Sequence, residues 1–555
     1  MLKKEVEHRS VRAVDAMLAV LADEGVSVIF GNPGSTEMPL MDALVDRPDM
    51  QYVLALQEAT AVGMADGYAQ ATGRAAFVNL HTAGGLGNAM GGLVNAMNTN
   101  TPLVVTAGQQ DTRHLFNTPW LAGDLTGIAS PVTKWAYEVR TAGEIAQALR
   151  RAFLIANTHP RGPVFLSLPM DLLDQETDVP VPRRTATPLT APGNVSELLS
   201  WYRSLDSHPR IALLLSDSVV HGDALLEAVA VAEVWDADVY GTPLIGGNVF
   251  PSKHSAWRGV LPPNFEKIRG ILKEYDVAVM VGDHALLAYP YTEGGPFPSE
   301  IKCIQISADA EKIGYSVPAE FAVHGDPKAT LDVIARALTV DREHRGDNAN
   351  STIRKGASPD EGSRQNKCGQ DGEALHPMDA VEAVLSVVPR GMPIVNEAPC
   401  TFDAVRELWR TEVDDRYYFV RGGVLGFGMP AAVGVSLAGT QQRVLCFIGD
   451  GAAMYSPQAL WSAARYRAPV KFIIFNNQKY DILMRVAKGL GSANATADRF
   501  VGMHIDEPGI DFAALARSAS LGYRRLDTLD RIREFLPRIL EDDDPWVVEI
   551  TVTGV

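Results

Sequence analysis

The sequence predicts an α/β fold of three domains, each a mostly parallel sheet flanked by helices. Short apolar runs of strand length alternate with longer segments whose apolar residues recur at helical spacing. Gly-rich loops follow several of these runs, which is typical of βα units. The chain has 555 residues, enough for about three or four domains.

The chain is acidic, with 67 Asp and Glu residues, 50 Lys and Arg residues and a net charge of −17. This balance argues against nucleic acid or an anionic membrane as a partner. Four scattered cysteines without a CxxC pair fit a reducing compartment. The polar N-terminus lacks an apolar signal core, and no run reaches the roughly 18 to 20 apolar residues of a transmembrane helix. We therefore expect a cytoplasmic protein with no membrane partner.

Residues 1–185 are predicted to form the first domain. A helical pattern over Val11–Leu21 precedes several apolar runs, and further helical segments separate these runs, so a parallel sheet is expected. The strands are predicted at Val26–Phe30, Tyr52–Leu56, Ala75–Leu80 and Leu103–Thr106.

Three polar residues follow strands of this domain. Ser35 lies in the turn GNPGSTE, Glu58 opens a helix, and His81 begins the Gly-rich loop HTAGGLGN. Each has an ordinary explanation: Ser35 as a helix N-cap, Glu58 as an acid beside a helix dipole, and His81 as a structural histidine. The alternative is a binding site at the carboxyl edge of the sheet.

The middle of the chain is predicted to hold a Rossmann-like domain over residues 190–340, between two linkers. Asp171–Leu198 is rich in Pro, Thr and Arg, which indicates a linker. Residues 341–376 are mostly polar and indicate a second, flexible linker. The elements predicted in this domain are strands at Ile211–Leu215, Val239–Gly241, Val277–Val281 and Cys303–Ser307 and a helix at Ala224–Ala232.

Residues 377–555 are predicted to form the third domain, around one βαβ unit. Its strands are predicted at Val444–Ile448 and Val470–Phe475, with a helix over Ala459–Arg467 between them. Such units are right-handed almost without exception, so the loops after the two strands lie side by side, where open α/β sheets bind ligands.

These two loops carry Asp450, within the sequence GDG, and Asn477, within the sequence NN. A hard cation that bridges a diphosphate needs a carboxylate and a few neutral oxygens. Asp450, the Asn477 amide oxygen and the Lys479 main-chain carbonyl would meet this need. The small residues Gly451 and Ala452 let backbone N–H groups approach phosphate oxygens. An ordinary turn in a Rossmann-like sheet would also contain GDG, but the helix, the strand and NN that follow favour the diphosphate site.

Longer motifs surround these residues. The first 180 residues contain FGNPGSTEMPL, ALQEATAVGMADGYAQATGRAAFVNLHTAGGLGNAMGGL and TPLVVTAGQQ. The third domain contains GGVLGFGMPAAVGVSL, GDGAAMYSPQALWSAARY, NNQKY and PGIDFAALA. These motifs resemble the thiamine-diphosphate (ThDP) decarboxylases, most closely the benzoylformate decarboxylase branch. The resemblance covers nearly the whole chain and is weakest in the middle domain and the polar linker.

The resemblance implies ThDP and Mg²⁺ as cofactors, with Asp450, Asn477 and Lys479 at the metal. It also implies that Leu425 bends the coenzyme and that the Gly423 carbonyl accepts a hydrogen bond from its pyrimidine amino group. The remaining coenzyme contacts that it implies are Glu58, Gly449, Gly451, Ala452 and Tyr480.

Three residues of the first domain match catalytic residues of these decarboxylases. Glu58 matches the glutamate that faces the aminopyrimidine ring, and burial against that ring is expected to raise its pKa. Ser35 and His81 match the serine and histidine that hold the substrate carboxylate and relay protons. The substrate implied is a small 2-oxo acid.

The sequence departs from the family pattern at the substrate pocket. Tyr289 stands where the decarboxylase has a further catalytic histidine, and His284 lies five residues earlier. Cys400, in Ala398-Pro399-Cys400, replaces part of a hydroxyl-rich turn. Leu483 keeps an apolar wall, and Val486 replaces a larger aromatic residue. The acyl group of the substrate therefore stays open.

Three functions are compatible with these residues. The first is a benzoylformate-type decarboxylase that releases an aldehyde and CO₂, with carboligation as a side activity. The second is a carboligase that resembles acetolactate synthase, a family that usually carries FAD in its middle domain. The third is a catalytically silent regulatory or binding subunit, against which the intact Glu58, Asp450 and Asn477 argue. The resemblance also implies sites shared between subunits, hence a homodimer as the minimum and a tetramer as the expected assembly.

Overall fold

The apolar runs form the buried strands of three six-stranded parallel sheets in a computed structural model of the chain. The structure describes residues 10–185, 190–205, 209–283, 286–345, 374–439 and 441–554. It confirms the expected three-domain α/β architecture. None of the helices in this described part combines the length and the apolar character that a membrane span requires.

The N-terminal sheet has the strand order β3-β2-β4-β5-β7-β6, and a separate short antiparallel ribbon joins β1 to β8. Its strands are β1 (Val11–Arg12), β2 (Val28–Gly31), β3 (Gln51–Leu54), β4 (Ala76–His81), β5 (Leu103–Gln109), β6 (Ala136–Glu138), β7 (Val164–Pro169) and β8 (Glu176–Thr177). Its helices are α1 (Ala13–Asp23), α2 (Met38–Val45), α3 (Glu58–Thr72), α4 (Thr82–Asn98), α5 (Leu125–Ala129), α6 (Glu144–Asn157) and α7 (Met170–Asp174).

The middle sheet has the order β11-β10-β9-β12-β13-β14. Its strands are β9 (Ile211–Leu215), β10 (Asp238–Gly241), β11 (Trp257–Val260), β12 (Val277–Val281), β13 (Lys302–Ser307) and β14 (Phe321–His324). Its helices are α8 (Ser196–Arg203), α9 (Ser218–His221), α10 (Leu225–Trp235), α11 (Phe265–Leu272) and α12 (Pro327–Arg345).

The C-terminal sheet has the order β16-β15-β17-β18-β20-β19. Its strands are β15 (Ile394–Glu397), β16 (Tyr417–Phe419), β17 (Val444–Gly449), β18 (Val470–Asn476), β19 (Gly522–Leu526) and β20 (Trp546–Thr551). The helices of this region are α13 (Pro377–Leu385), α14 (Phe402–Leu408), α15 (Gly428–Ala438), α16 (Asp450–Ala453), α17 (Gln458–Arg465), α18 (Asp481–Gly489), α19 (Ala493–Thr496), α20 (Phe512–Ser518) and α21 (Leu529–Glu541).

The described residues belong to two compact units. The first contains Met1–Thr187, Asp371–Phe402 and Gly422–Val555, and the second contains Pro188–Gln370 and Asp403–Arg421. The N-terminal and C-terminal sheets therefore share one unit. Within it, helix α3 packs closely against α15.

The strands are nearly continuous apolar runs because helices cover both faces of a parallel sheet. Every residue of β5, β9, β12 and β18 is buried. Burying a Val, Leu, Ile or Phe side chain contributes about 1.5 to 3 kcal/mol, so these runs supply much of the stability of each sheet. Gln109 and Asn476 end β5 and β18, where the loops begin, whereas Lys471 is buried near the start of β18 and Thr106 in the middle of β5.

The first linker was predicted wrongly in part. Residues 171–198 contain most of α7, the strand β8 and the start of α8. Leu172 and Leu173 of α7 are buried in the N-terminal core, and β8 pairs with β1. The Pro and Arg content of this segment predicts a linker, but composition does not show the distant residues that bury Leu172 and Leu173.

The second linker was expected to begin at residue 341, but α12 continues to Arg345. Residues 346–373 of that predicted linker lie outside the described residues, as does His284. Its last residues, 374–376, are described: Leu375 forms a β-bridge with Val552, and the His376 side chain caps α13. The strand predicted at Tyr52–Leu56 ends earlier, at Leu54, and Leu56 is half exposed in the turn before α3.

Candidate active site

Three candidate residues lie at one edge of the N-terminal sheet. Ser35 follows β2, Glu58 follows β3, and His81 ends β4. These strands are neighbours and run parallel, so their carboxyl ends meet at the same edge. The structure therefore places the three residues on one side of the sheet.

The loop that carries Ser35 lies against the imidazole ring of His81. A Cβ atom added to Gly34 would be only 2.2 Å from Cγ of that ring. Glycine is needed here because any side chain would displace the histidine. Ser35 itself is exposed and begins a single 3-10 turn, whose N-cap position is taken by Gly34. The ordinary explanation of Ser35 as a helix N-cap is therefore wrong.

Glu37 is a buried carboxylate that orients His81. Its Oε2 lies 2.9 Å from the ring nitrogen Nδ1 of His81. Because an ionised carboxylate only accepts hydrogen bonds, we assign the proton to Nδ1. The other ring nitrogen, Nε2, is then the acceptor in the neutral ring. A second partner at Nδ1 is the hydroxyl of Thr36, at 3.0 Å.

The carboxylate of Glu37 also holds the surrounding loops. It accepts hydrogen bonds from the backbone N–H groups of Gly34 (2.8 Å) and Gly108 (2.9 Å) and from the hydroxyl of Thr36 (2.8 Å). Buried polar groups cost free energy unless they are hydrogen-bonded, and both carboxylate oxygens here have partners. Glu37 thus ties the Ser35 loop, His81 and β5 together.

Glu58 is the first residue of α3 and is partly exposed. The side-chain oxygen of Gln57 caps the helix by accepting a hydrogen bond from the Thr60 N–H, 3.0 Å away. The Glu58 Oε2 accepts a hydrogen bond from the Asn88 amide at 3.1 Å, and its Oε1 faces Gly85. The cap fixes the position at which Glu58 leaves the helix.

A second set of polar residues lies at the carboxyl edge of the C-terminal sheet. Glu397 ends β15, Asp450 follows β17, and Asn477 follows β18. These three strands are neighbours in the sheet and run parallel. The loops of Asp450 and Asn477 therefore lie side by side, as the βαβ unit predicts.

The Asp450 side chain connects the two loops directly. Its Oδ1 accepts a hydrogen bond from the Gly451 N–H at 2.8 Å, and its Oδ2 accepts one from the Gln478 N–H at 2.6 Å. Burial raises the pKa of Asp450, and the N–H donors favour its charged form. The amide oxygen of Asn477 accepts a hydrogen bond from the Lys479 N–H at 3.2 Å.

These groups fit a magnesium diphosphate. Asp450 would supply a carboxylate and Asn477 an amide oxygen, which are the kinds of ligand that Mg²⁺ prefers. A Cβ atom added to Gly451 would be 2.6 Å from the Tyr480 ring, so the backbone here passes close to that ring. Within the described residues, no cluster of three or more His, Cys, Asp and Glu side chains forms a metal site.

The segment 423–428, which we call the wedge loop, ends at the first residue of α15 and carries Leu425. Gly423 and Gly426 have φ angles of +75° and +101°, a region that L-amino acids other than glycine rarely adopt. The carboxylate of Glu397 accepts hydrogen bonds from the backbone at Gly426 and Gly428, both at 2.7 Å. Burial raises the pKa of Glu397 to about 7, although these donors favour the charged form.

Leu425 lines a cavity of about 70 Å³ together with Asp450 and Tyr480. The cavity extends from the GDG loop to the first turn of α18. Its wall includes Cys400, Asp481 and Ile482, and the assignment of Cys400 to the substrate pocket stays a prediction. Leu483 is 46% exposed, and neither it nor Val486 lines this cavity. Their assignment to the substrate pocket stays a prediction.

Cys400 and Asp481 form a polar part of this wall. The Cys400 sulfur lies 3.8 Å from Oδ2 of Asp481. Burial raises the pKa of the Cys400 thiol to about 11, so it stays protonated at neutral pH. The buried Asp481 forms ion pairs with Arg485 at 3.2 Å and Lys479 at 3.6 Å.

Tyr289 belongs to the second unit, in the loop between β12 and β13. Its side chain is 66% exposed, and its N–H donates to the Pro263 carbonyl at 2.9 Å. The assignment of Tyr289 as the replacement for the family histidine stays a prediction.

The same unit carries acidic residues where its sheet would bind a nucleotide. Asp217 and Asp283 follow β9 and β12, the two strands at which the order of the middle sheet changes direction. Burial opposes the ionisation of Asp217, but the guanidinium group of Arg421, 2.6 Å away, lowers its pKa. Asp217 also accepts hydrogen bonds from two backbone N–H groups, at Gly246 and Gly247.

The sequence prediction omitted Glu37, Glu397 and Asp481. Glu397 ends the apolar strand IVNE, and a charged residue at the carboxyl end of a buried strand is a signal that could have found it. Glu37 follows Ser35 by two residues, but only the fold brings its carboxylate to His81. No local pattern distinguishes Asp481 from an ordinary first-turn acid.

Three sequence profiles match the chain. They describe the N-terminal TPP-binding domain of thiamine pyrophosphate enzymes (residues 11–122), the central domain (202–334) and the C-terminal TPP-binding domain (400–550). The chain therefore belongs to the thiamine pyrophosphate enzymes, a family that depends on ThDP, usually with Mg²⁺ as the partner metal.

Individual relatives are similar over nearly their whole length. A benzoylformate decarboxylase of Pseudomonas aeruginosa is 32% identical, over 96% of this chain and 98% of its own. A probable acetolactate synthase large subunit of Methanocaldococcus jannaschii is 27% identical, over 98% of this chain and 92% of its own. Among solved structures, a ThDP-dependent 4-hydroxybenzoylformate decarboxylase of Rhodococcus jostii superimposes with a TM-score of 0.87 at 30% identity. That alignment covers 98% of this chain and 100% of the other.

Proposed function

We propose that this protein catalyses the non-oxidative decarboxylation of a benzoylformate-like 2-oxo acid to an aldehyde and CO₂, with carboligation as a side reaction. The observation that carries this proposal is the pairing of His81 with the buried Glu37, beside the loop of Ser35. A histidine oriented in this way can move a proton at the carbon from which CO₂ leaves.

The coenzyme would be held at the edge of the C-terminal sheet. Asp450, Asn477 and the Lys479 carbonyl would bind the metal, and the backbone at Gly451 and Ala452 would approach the diphosphate. When bound, ThDP supplies a thiazolium ring that accepts the electron pair of the breaking carbon–carbon bond. Leu425 would support the bend between its two rings, and Glu58 would donate a hydrogen bond to the pyrimidine ring.

The reaction needs a proton donor, and His81 can act as one. The bond between the carboxylate carbon and the carbonyl carbon breaks, CO₂ leaves, and a proton replaces it on the carbonyl carbon. His81 can deliver that proton from Nε2 once the ring is protonated, because Glu37 at Nδ1 stabilises the imidazolium. Ser35, exposed on the adjacent loop, would donate a hydrogen bond to the substrate carboxylate.

The names of the relatives support an aromatic substrate. One acts on benzoylformate and another on 4-hydroxybenzoylformate. In this chain, Leu425 and Ile482 give the cavity an apolar part, and Cys400 and Asp481 give it a polar one. We therefore expect aromatic 2-oxo acids that carry a polar ring substituent to be accepted.

An acetolactate-synthase-like carboligase is the second candidate, because a relative with that name aligns over 98% of this chain. The structure of the middle domain disfavours the FAD expected for that family. Asp283 stands at the position where a dinucleotide diphosphate would bind, and its carboxylate would repel that group, whereas the charge of the neighbouring Asp217 is balanced by Arg421. A flavin absorption spectrum of the purified protein, together with acetolactate as the product from pyruvate alone, would favour this candidate over the first.

The proposal is tested with a panel of aromatic and aliphatic 2-oxo acids, scored for CO₂, aldehyde and acyloin. We expect aldehyde from an aromatic member of the panel. His81→Ala and Glu37→Gln should each lower kcat by about 10²- to 10⁴-fold, which is the usual contribution of a positioned acid or base. His324→Ala, an exposed histidine of the second unit, is the matched control and should leave kcat unchanged. A wild-type protein that binds ThDP but releases no CO₂ from any member of the panel would disprove the proposal.

A further inference from the structure

Two side chains of the first unit hold the wedge loop by hydrogen bonds, one on each side of Leu425. On the N-terminal side, the attachment is to Asn95 of α4. The Asn95 amide nitrogen donates to the Val424 carbonyl at 2.8 Å, and its amide oxygen accepts from the Val424 N–H at 3.1 Å. One buried side chain thus satisfies both backbone groups of the residue that precedes Leu425.

On the C-terminal side, the attachment is to Glu397 of β15. Its Oε1 accepts hydrogen bonds from the N–H groups of Gly426 (2.7 Å) and Phe427 (3.3 Å), and its Oε2 accepts one from Gly428 (2.7 Å). These N–H groups lie at the start of α15, where a helix has no internal partner for them. Hydrogen bonds to an ionised carboxylate are about twice as strong as neutral ones.

The wedge loop cannot hold this conformation through its own backbone. Gly423 and Gly426 adopt positive φ angles, and glycine populates many other conformations as readily. Glycines at both ends of the loop pack closely against the two anchoring side chains. A Cβ atom at Gly422 would be 2.3 Å from the Asn95 amide oxygen, and one at Gly428 would be 2.8 Å from Cβ of Glu397.

We propose that Asn95 and Glu397 are positioning residues, which together fix the backbone on both sides of Leu425 so that its side chain meets the coenzyme in one orientation. The inference rests on the proposed function, because it assumes that Leu425 supports the bent coenzyme. A displacement of about 1 Å in such a support can cost about a hundredfold in rate, so a loop with two glycines needs external anchors.

An ordinary helix cap would explain Glu397 alone, but not the pair. Asn95 comes from the N-terminal domain and Glu397 from the C-terminal domain, and their hydrogen bonds reach the residues immediately before and after Leu425. Capping α15 does not require Asn95, whose bonds end at Val424. Because the two anchors flank one residue, they determine the position of the Leu425 side chain.

The test uses the two isosteric variants Glu397→Gln and Asn95→Asp at pH 8, where Glu397 is mainly ionised in the wild type. In Glu397→Gln, an amide NH₂ meets one of the backbone N–H donors. In Asn95→Asp, a carboxylate oxygen meets the Val424 carbonyl. Neither variant leaves a cavity. Exchange of the C2 hydrogen of ThDP, measured at saturating ThDP and Mg²⁺ without any 2-oxo acid, should slow by about tenfold or more in each variant.

Two further readouts separate positioning from a general loss of structure. In the coenzyme-free protein, backbone amide exchange at residues 424–428 should accelerate in both variants. In the Leu425→Ala background, either variant should change C2 exchange by less than about twofold, because residues that act through one another are not additive. Thr528→Ala removes the N-cap of α21 and is the control: it should lower stability and leave C2 exchange unchanged.

The inference is overturned if C2 exchange at saturation equals that of the wild type, if Thr528→Ala slows it equally, or if the effects add to that of Leu425→Ala. Glu397→Asp keeps the charge on a shorter side chain and replaces Glu397→Gln if the latter does not fold. A wild-type protein with normal C2 exchange and no decarboxylation would disprove the proposed function and leave this inference standing.

Discussion

Buried carboxylates at strand ends organise both halves of the candidate site. Glu37, Glu397 and Asp450 each accept hydrogen bonds from two or more backbone N–H groups, at least one of them in a loop that carries a candidate residue. An ionised carboxylate only accepts hydrogen bonds, so it can hold several N–H groups of a tight loop at once. Such a group costs a large desolvation penalty when its partners are lost, which makes single substitutions there informative.

At the residue scale, we predict that Asp450→Asn lowers the affinity for ThDP in the presence of Mg²⁺ by about 100-fold, or roughly 3 kcal/mol. The substitution removes the carboxylate from the metal and turns an NH₂ group toward the Gly451 or Gln478 N–H. Titration of the coenzyme-free protein with ThDP measures the change. Asp530→Asn, whose side chain is almost fully exposed, is the control. An unchanged affinity in Asp450→Asn would rule out the diphosphate site described above.

Among the elements, the helix pair α3 and α15 connects the two halves of the first unit. Its contact depends on glycines at which the helices approach most closely. A Cβ atom at Gly67 would be 2.1 Å from the Ala431 carbonyl oxygen, and one at Gly434 would be 1.9 Å from the Met64 carbonyl oxygen. Glu58 begins α3, and the wedge loop leads into α15. The contact between these helices therefore fixes the position of Glu58 relative to the wedge loop of the same chain.

We predict that Gly67→Ala destabilises the protein by about 1 to 3 kcal/mol, because overpacking at a backbone contact forces the helices apart. Gly270→Ala in α11 is the matched control, since a Cβ atom there meets nothing within 4 Å. It should stabilise by about 0.5 to 1 kcal/mol through helix propensity. Midpoints of thermal unfolding compare the two variants. A Gly67→Ala midpoint at or above that of the wild type would contradict the close packing of α3 and α15.

At the scale of the whole molecule, the resemblance implies sites shared between subunits. In that arrangement, Glu58 of one chain faces the diphosphate loop of another. The partly exposed Glu58 carboxylate is compatible with a contact from a second chain.

Mixing inactive Glu58→Ala and Asp450→Ala chains tests this assembly. A hybrid dimer with shared sites has one site that is damaged twice and one that is intact. A random mixture of equal parts should therefore recover about a quarter of the wild-type activity after dissociation and reassociation. The separate variants treated in the same way are the controls. Recovery no higher than theirs would show that each site is built from one chain.

Much of the fold follows from local pattern. The apolar runs at Ile211–Leu215 and Val277–Val281 are strands with the predicted ends. The βαβ unit around Asp450 has the expected order because parallel strands need a crossover helix. The segment 171–198 was predicted less well. Its short helix and strand are held by the N-terminal core and by β1, which lie far away in the sequence.

Some residues of the candidate site could likewise be predicted from local pattern, and others could not. Asp450, Asn477, Glu58 and His81 were predicted because each follows a strand within a recognisable motif. Glu37, Asn95 and Glu397 were not, because their importance lies in contacts with residues 29 to 329 positions away. A local pattern carries no information about which distant backbone groups a carboxylate will meet.

The sequence by itself determined the α/β architecture and the family, and it predicted which residues meet ThDP, since apolar periodicity and Gly-rich motifs are properties of short segments. Only the tertiary structure decided how those residues are oriented: Glu37 sets the ring of His81, and Asn95 and Glu397 set the wedge loop. Buried polar groups must find hydrogen-bond partners, and where the chain supplies them is decided by packing rather than by neighbouring residues.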